Sequence, residues 1–182
     1  MLIQAGMSAP TFRTDDLFGN PLDLAGYRGQ PLLLTFLRNA ACALCNLRIQ
    51  RLITHYPVLT QQGLAIIAVF ESPRERMLEY VAQQDAPFPL VADPQAELYT
   101  LYGVETSEAK VAQTMAMPET DVAVQTAAAL GFALTPEPGS NFNRMPADFL
   151  IGPDGVVLRA HYANFITDHL PFEAIQQALA TA

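Results

Sequence analysis

The sequence predicts an α/β fold in which a mixed central β-sheet is flanked by helices. Short apolar runs at residues 31–37 and 64–70, bounded by Gly and Pro, are typical of buried strands. Apolar residues between the two runs recur at helical spacing, which indicates a crossover helix. A later pair of apolar strands joined by Pro153-Asp154-Gly155 predicts an antiparallel hairpin. This order of elements implies one mixed sheet with helices on both faces.

The composition limits the class of protein. With 182 residues, 51% of them apolar and 15% charged, the chain is long enough for one well-cored domain over residues 1–182. Its formal net charge of −8 argues against nucleic acid or an anionic membrane surface as a partner. No apolar run approaches the roughly 18 residues of a membrane span. Residues 1–6 lack the basic and apolar regions of a signal peptide, so we expect a cytoplasmic protein.

The first elements follow from alternation and helical spacing. Residues 9–15 alternate weakly between apolar and polar positions and predict an N-terminal edge hairpin that turns at Gly19-Asn20. In the crossover helix, Pro57 falls inside the apolar pattern. Because proline lacks an amide hydrogen and clashes with the preceding turn, we expect a kink or a break near Tyr56.

The second half of the sheet region carries clear boundary signals. Ser72-Pro73-Arg74-Glu75 predicts the cap and first turn of a helix that reaches about Gln84. Residues 87–93 predict a short strand, and a small helix after it ends at Gly103. Residues 168–179 predict the closing helix.

Residues 105–140 are the least regular part of the chain. They are rich in Ala, contain Met and are interrupted by Pro and Gly, which predicts one or two irregular helices inserted before the sheet resumes. We favour a packing role or a homodimer contact for this insertion. A lid or a substrate-facing role is the alternative.

Both cysteines of the protein, Cys42 and Cys45, lie two residues apart where the predicted crossover helix begins. A strand, a tight turn and a Cys-x-x-Cys at a helix start are typical of a redox dithiol. The helix N-terminus supplies partial positive charge and free N–H groups, which stabilise a thiolate. Cys42 is nearest the helix start, so we assign it as the nucleophile. Two buried cysteines with a purely structural role remain the alternative. A zinc site would need two further donors, which the spacing of the histidines does not provide. We therefore expect no metal and no cofactor.

The chain resembles the thioredoxin superfamily and, within it, the peroxiredoxin-like branch known as alkyl hydroperoxide reductase/thiol-specific antioxidant (AhpC/TSA). The resemblance covers nearly all of the chain outside the insertion. It rests on these pieces in this order: Ala9-Pro10-Thr11-Phe12, Tyr27-Arg28-Gly29-Gln30-Pro31, Cys42-x-x-Cys45, Ala68-Val69, Ala92-Asp93-Pro94, Tyr102-Gly103-Val104, Pro146-x-x-Phe149-Leu150-Ile151 and Asp154-Gly155. It implies a thioredoxin-like fold and a cis proline that faces the redox cysteines, for which Pro146 is the candidate.

The sequence also departs from the family. Peroxiredoxins usually carry Pro-x-x-x-Thr-x-x-Cys, in which the threonine helps to hold the peroxide. With the last cysteine placed at Cys45, the proline becomes Arg38 and the threonine becomes Cys42. With the pair placed as a thioredoxin dithiol, Cys42 attacks and Cys45 resolves, but the tryptophan usual beside such a dithiol is missing. The chain is a hybrid of the two patterns.

Two arginines are candidates for holding the thiolate and polarising a peroxide oxygen. Arg38 lies four residues before Cys42, and Arg144 lies two residues before Pro146, near the place where peroxiredoxins keep an arginine. A structural or surface role remains open for both. Thr35, at the end of the first central strand, is a weaker candidate for a place near the resolving cysteine. Asp168-His169 reads as a capping or solvated pair rather than a proton relay.

Three functions remain. We favour a thiol peroxidase that reduces hydrogen peroxide or alkyl hydroperoxides through a Cys42–Cys45 disulfide and is recycled by a thioredoxin- or glutaredoxin-type reductant. A thiol-disulfide oxidoreductase acting on protein disulfides is the first alternative. A redox-sensing interaction protein is the second. A narrow pocket containing an arginine favours peroxide, an open apolar surface favours protein disulfides, and a buried dithiol favours the sensor or two structural cysteines.

Overall fold

The computed structural model describes residues 2–133, 135 and 137–180. Its centre is a five-stranded mixed sheet in the order β5-β4-β3-β6-β7. The strands are β3 (Leu32–Phe36), β4 (Ala65–Phe70), β5 (Leu90–Ala92), β6 (Ala147–Ile151) and β7 (Val157–Tyr162). A separate N-terminal hairpin pairs β1 (Arg13–Asp15) with β2 (Pro21–Asp23). The predicted fold class, a mixed sheet with an edge hairpin, is confirmed.

The direction of each strand follows its connection. β4 and β5 follow helical crossovers and run parallel to β3, whereas β6 and β7 form the predicted hairpin and run antiparallel to it. The register opposes Thr35 of β3 to Ala68 on one side and Asp148 on the other. The turn that leads to Cys42 therefore leaves the sheet from its central strand.

Six helices surround the sheet in the described part of the chain. They are α1 (Ala43–Gln61), α2 (Arg74–Glu79), α3 (Glu97–Tyr102), α4 (Glu108–Met115), α5 (Pro118–Ala129) and α6 (Phe172–Ala180). The insertion forms α4 and α5, as predicted, and Ala127 of α5 packs against Ala43 and Leu47 at the start of α1. None of the described helices combines the length and the apolar character needed to cross a bilayer.

Three local predictions need correction. Of the kink or break expected near Tyr56, the break is absent. α1 continues through Pro57 to Gln61, because the tertiary packing of Leu52 and Leu59 in the core outweighs the loss of one backbone hydrogen bond. Ser72 does not cap α2, whose N-cap is Pro73. α2 ends at Glu79, and a 3-10 turn over Val81–Gln84 then reaches the predicted end of the segment.

The closing helix also begins later than predicted, at Phe172 rather than Asp168. Asp168 instead accepts a hydrogen bond from the backbone N–H of Asn164 at 2.8 Å and contacts the His161 ring at 2.9 Å. A carboxylate that satisfies a turn in this way competes with helix formation.

Two apolar layers cover the two faces of the sheet. One layer packs α1 and α6 against the face that carries Leu33 and Leu150, and it includes both cysteines. The other layer is aromatic and surrounds Phe36, which contacts the rings of Tyr99, Tyr102 and Phe149 at centroid distances of 5.0–5.8 Å. These layers hold β3 and α1, the two elements that carry the dithiol.

Candidate active site

The turn between β3 and α1 places both sulfurs at the start of a long helix. Cys42 is the N-cap of α1, and its Sγ accepts a hydrogen bond from the backbone N–H of Cys45 at 3.4 Å. The Cys45 Sγ accepts from the backbone N–H of Arg38 at 3.4 Å. Both cysteines are free thiols in this structure. The nucleophile predicted from the sequence therefore occupies the position where the helix dipole is strongest.

The electrostatics separate the two cysteines. A hydrogen bond from the Cys45 thiol, the Arg38 guanidinium and two backbone N–H groups outweigh burial and lower the pKa of Cys42 to about 6. Burial and the neighbouring Cys42 sulfur raise the pKa of Cys45. These shifts favour the thiolate at Cys42 and the protonated thiol at Cys45. This is the division of roles that an attacking and a resolving cysteine require.

Arg38 belongs to this site. Its side chain is buried, and Nη1 lies 3.9 Å from the Cys42 Sγ. Nη2 donates to the backbone carbonyl of Phe142, and the guanidinium lies 5.0 Å from the centroid of the Phe142 ring. Its buried Nε has no hydrogen-bond acceptor within the described residues. Arg38 is thus placed to hold a thiolate and still has an N–H available for a substrate oxygen.

Both sulfurs are shielded from solvent, since Cys42 is 6% exposed and Cys45 is 3% exposed. The end of the insertion contacts the active-site turn. The Glu137 Oε2 accepts from the backbone N–H of Ala41 at 3.3 Å, and Oε1 accepts from the Ser72 hydroxyl at 2.7 Å. Ser72 Oγ in turn accepts from the backbone N–H of Ala40 at 2.9 Å. The site is therefore enclosed, and it contains an arginine.

Arg144, the second predicted arginine, binds elsewhere. Its Nε donates to Glu71 Oε2 at 2.5 Å, its Nη1 donates to the Val104 carbonyl at 2.7 Å, and its guanidinium lies 4.8 Å from the Tyr99 ring centroid. These contacts with Glu71, Val104 and Tyr99 hold the Arg144 side chain in a structural role at the ends of the strands. The structure does not bring it into hydrogen-bond contact with either sulfur.

Pro146 is buried and directly precedes β6, next to Met145, which packs in the same apolar layer as both cysteines. The prediction of a cis peptide is wrong, because all peptide bonds in the described residues are trans. Trans is the default for an X-Pro bond by about 0.5–1 kcal/mol. Here Met145 N donates to the Glu105 carbonyl and β6 pairs with β3 from Ala147 onward, so extended pairing continues across the proline.

A buried polar cluster lies between β6 and α1, and sequence analysis did not find it. Asp148 accepts from the Thr35 hydroxyl at 2.5 Å and from the backbone N–H of Leu170 at 2.7 Å. Its Oδ2 also lies 3.4 Å from Arg48 Nη2 and 3.3 Å from His169 Nδ1. Thr35 thus supports this cluster and makes no hydrogen bond to the resolving cysteine.

Charge balance in this cluster favours ionised Asp148. Burial opposes its charge, but the neighbouring His169 ring and Arg48 guanidinium, with the hydrogen bond from Thr35, hold the pKa of Asp148 well below its usual range. Burial lowers the pKa of His169, and the Arg48 guanidinium lies against the same Asp148 oxygen. Arg48 lies on α1 six residues after Cys42, and the cluster therefore anchors the dithiol helix to the sheet. Buried charges are rare unless paired, so an Asp inside an apolar strand was the available sequence signal.

Comparison with known proteins agrees with this geometry. A model of the family described as AhpC/TSA matches residues 5–160. The chain belongs to the AhpC/TSA family. This match spans the hairpin, the Cys-x-x-Cys turn, the insertion and all five strands of the central sheet except the last two residues of β7.

Relatives that match part of the chain carry two kinds of name. A Mycobacterium tuberculosis protein named as a candidate peroxiredoxin is 29% identical over 98 residues, which are 54% of this chain and 62% of that protein. The thiol-disulfide oxidoreductase ResA of Geobacillus thermodenitrificans is 30% identical over 103 residues, 56% of this chain and 59% of ResA. The matched regions thus span about three-fifths of the length of each relative.

Solved structures confirm the fold. Peroxidoxin BcpB of Mycobacterium tuberculosis superposes with a TM-score of 0.67 at 16% identity, covering 98% of this chain and 96% of the other. A thiol:disulfide interchange protein of Chlorobium tepidum, described as a candidate DsbE, gives 0.65 at 20% identity, covering 98% and 97%. Both groups of relatives carry the names of thiol oxidoreductases. The names divide between peroxiredoxins and thiol-disulfide oxidoreductases.

Proposed function

We propose that this protein is a thiol peroxidase that reduces hydrogen peroxide or small alkyl hydroperoxides. The observation that carries the proposal is the Cys42 sulfur, whose pKa is lowered to about 6, in contact with a buried arginine inside an enclosed site. Peroxide reduction needs a thiolate and a cation that stabilises the oxygen leaving from the broken O–O bond. Arg38 supplies that cation at 3.9 Å from the sulfur.

The proposed cycle uses only the two cysteines and Arg38. The Cys42 thiolate attacks one peroxide oxygen, an S–O bond forms and the O–O bond breaks, which gives Cys42 sulfenic acid and an alkoxide or hydroxide. The leaving oxygen takes a proton from water and departs as an alcohol or water. The Cys45 thiol then condenses with the sulfenic acid, which forms the Cys42–Cys45 disulfide and releases water. A dithiol reductant restores both thiols by exchange.

A second candidate function is thiol-disulfide exchange on proteins. It is favoured by the Cys-x-x-Cys spacing and by the similarity to ResA. The shielding of Cys42 opposes it, because a folded protein disulfide reaches a sulfur that is 6% exposed only after the surrounding segment moves. The third candidate, a redox sensor without turnover, has the burial of the dithiol in its favour and the lowered pKa of Cys42 against it.

We further propose a cytoplasmic location, a thioredoxin- or glutaredoxin-type reductant and the insertion as a contact surface for a second copy. Apolar side chains are exposed on α4 (Met115), on α5 (Val122) and at the end of α5 (Leu130). Their exposure is consistent with such a contact. Size-exclusion chromatography with light scattering tests the homodimer.

The function is tested by comparing substrates on the reduced protein. Stopped-flow oxidation is followed with hydrogen peroxide, an alkyl hydroperoxide and a disulfide-bonded protein such as insulin. The proposal expects peroxide to oxidise the protein far faster than it oxidises a free thiol, and faster than insulin does. Peroxide oxidation at the rate of a free thiol, with rapid insulin reduction, would overturn the proposal in favour of disulfide exchange.

A further inference from the structure

One acidic side chain from the insertion contacts the turn that leads into Cys42. The Glu137 carboxylate bridges two elements, because one oxygen accepts from Ala41 N and the other accepts from the Ser72 hydroxyl. Ala41 immediately precedes Cys42, and its N–H makes no other hydrogen bond in the described structure. The carboxylate therefore accepts the hydrogen bond from the backbone N–H next to the reactive sulfur.

A second attachment lies a few residues further on. The Phe142 carbonyl accepts from Arg38 Nη2, and the Phe142 ring lies against the same guanidinium. Residues 137–142 thus contact the active-site turn at two points, Arg38 and Ala41, which lie on either side of Asn39 and Ala40. We call these six residues the cover segment.

Outside the cover segment lies a cleft of about 500 Å³. Its walls include Pro73, Arg76, Pro94 and four residues of the cover segment next to Glu137, and Glu137 itself lines it. Glu137, whose carboxylate contacts the N–H beside Cys42, therefore also lines a cavity large enough for a small organic molecule. Glu137 therefore contacts both this cleft and the turn that leads into Cys42.

We propose that Glu137 is a specificity-determining residue that closes the Cys42 site on the side of this cleft. An oxidant reaches the sulfur only after the carboxylate leaves Ala41 N–H and Ser72, and the released N–H and the free Nε of Arg38 then face the entering oxygen. Small uncharged hydroperoxides pass most readily. Bulky oxidants and anionic oxidants are disfavoured, by size and by repulsion from the carboxylate respectively.

The test measures access to the sulfur without using peroxide. All proteins carry Cys45→Ser so that one thiol reacts, and each is treated with an uncharged aromatic disulfide reagent, 4,4′-dithiodipyridine. Rates are compared per thiolate, using the Cys42 pKa measured for each variant, so that a change in ionisation is not counted as a change in access. Glu119→Ala is the matched control, because Glu119 is an exposed glutamate of the same insertion.

We expect Glu137→Ala to accelerate this reaction about tenfold or more, the factor that equals about 1.4 kcal/mol and lies near the lower end for one hydrogen bond to a charged group. Glu119→Ala stays at the parent rate. Glu137→Gln, which keeps the size but loses the charge, accelerates the dianionic reagent 5,5′-dithiobis(2-nitrobenzoate) more than the uncharged one. An unchanged rate in both Glu137 variants would overturn the proposal, and Glu137→Gln keeps the test decisive if the alanine variant fails to fold.

The choice among hydroperoxides rests on the proposed function and is measured separately. Glu137→Ala should raise the rate with cumene hydroperoxide more than the rate with hydrogen peroxide. If no peroxide oxidises any variant while 4,4′-dithiodipyridine is accelerated, the peroxidase proposal fails and the Glu137 proposal stands. If peroxides oxidise the parent and Glu137→Ala changes no rate, the Glu137 proposal fails alone.

Discussion

Replacing Arg38 by methionine removes the guanidinium next to Cys42 while nearly preserving the length of the side chain. The hydrogen bond from Cys45 is the largest influence that lowers the pKa of Cys42, and Arg38 adds its charge. Two unit charges at the observed 3.9 Å interact by about 4 kcal/mol at an effective dielectric constant of about 20. One pKa unit corresponds to about 1.4 kcal/mol, so about three units is the upper limit. Because water enters when the guanidinium is removed, we expect Arg38→Met to raise the pKa of Cys42 by about one to two units.

The assay is the ultraviolet absorbance of the thiolate as a function of pH in the reduced protein. Arg38→Lys keeps a cation near the sulfur and serves as the matched control, with a smaller expected rise. The parent titrates with a midpoint near the lowered pKa of about 6, and Cys42→Ser identifies which sulfur is observed. A Cys42 pKa that is the same in Arg38→Met and the parent would refute the role assigned to Arg38. The peroxide rate at neutral pH should fall together with the thiolate fraction.

Other predictions concern the framework. Asp148→Ala should cost about 3–5 kcal/mol of unfolding free energy in denaturant titration, because it leaves buried Arg48 without its partner; a loss below about 1 kcal/mol would contradict this pairing. The pKa of Asp148 is lower in the folded than in the unfolded chain, so below about pH 4 the unfolded state binds more protons and stability falls as the pH drops. This acid dependence should weaken in Asp148→Asn, and an unchanged pH profile would argue against it. Phe149→Ala should lower the unfolding free energy by about 3–5 kcal/mol through a core cavity, whereas the exposed Phe18→Ala should change it little.

The sequence was informative wherever local chemistry decides structure. Short apolar runs predicted β3 and β4, the Pro-Asp-Gly turn predicted the β6–β7 hairpin, and the Cys-x-x-Cys placed Cys42 at the start of α1. In each case the deciding signal lies within a few residues of the element that it forms. Arg38 could be predicted to lie near the sulfur because it is only four residues before Cys42 in the sequence.

The rest depended on contacts distant in sequence. Glu137 lies 96 residues from Ala41, and Asp148 lies 100 residues from Arg48, so no local pattern pairs them. Arg144 was predicted from its closeness to Pro146 along the chain, but its ion pair with Glu71, 73 residues away, directs it elsewhere. Tertiary packing likewise stabilises α1 as a continuous helix across Pro57.

The central claim is that the Cys42 thiolate attacks peroxide and Cys45 resolves the product. Single-turnover oxidation of the reduced protein by hydrogen peroxide tests it most directly, with Cys42→Ser and Cys45→Ser measured in parallel and the products identified by mass spectrometry. The account predicts rapid disulfide formation in the parent, no rapid oxidation in Cys42→Ser, and a sulfenic acid trapped at Cys42 by dimedone in Cys45→Ser. Rapid oxidation of Cys42→Ser with a sulfenic acid at Cys45 would contradict the assignment of roles, and oxidation of the parent no faster than that of a free thiol would contradict the peroxidase itself.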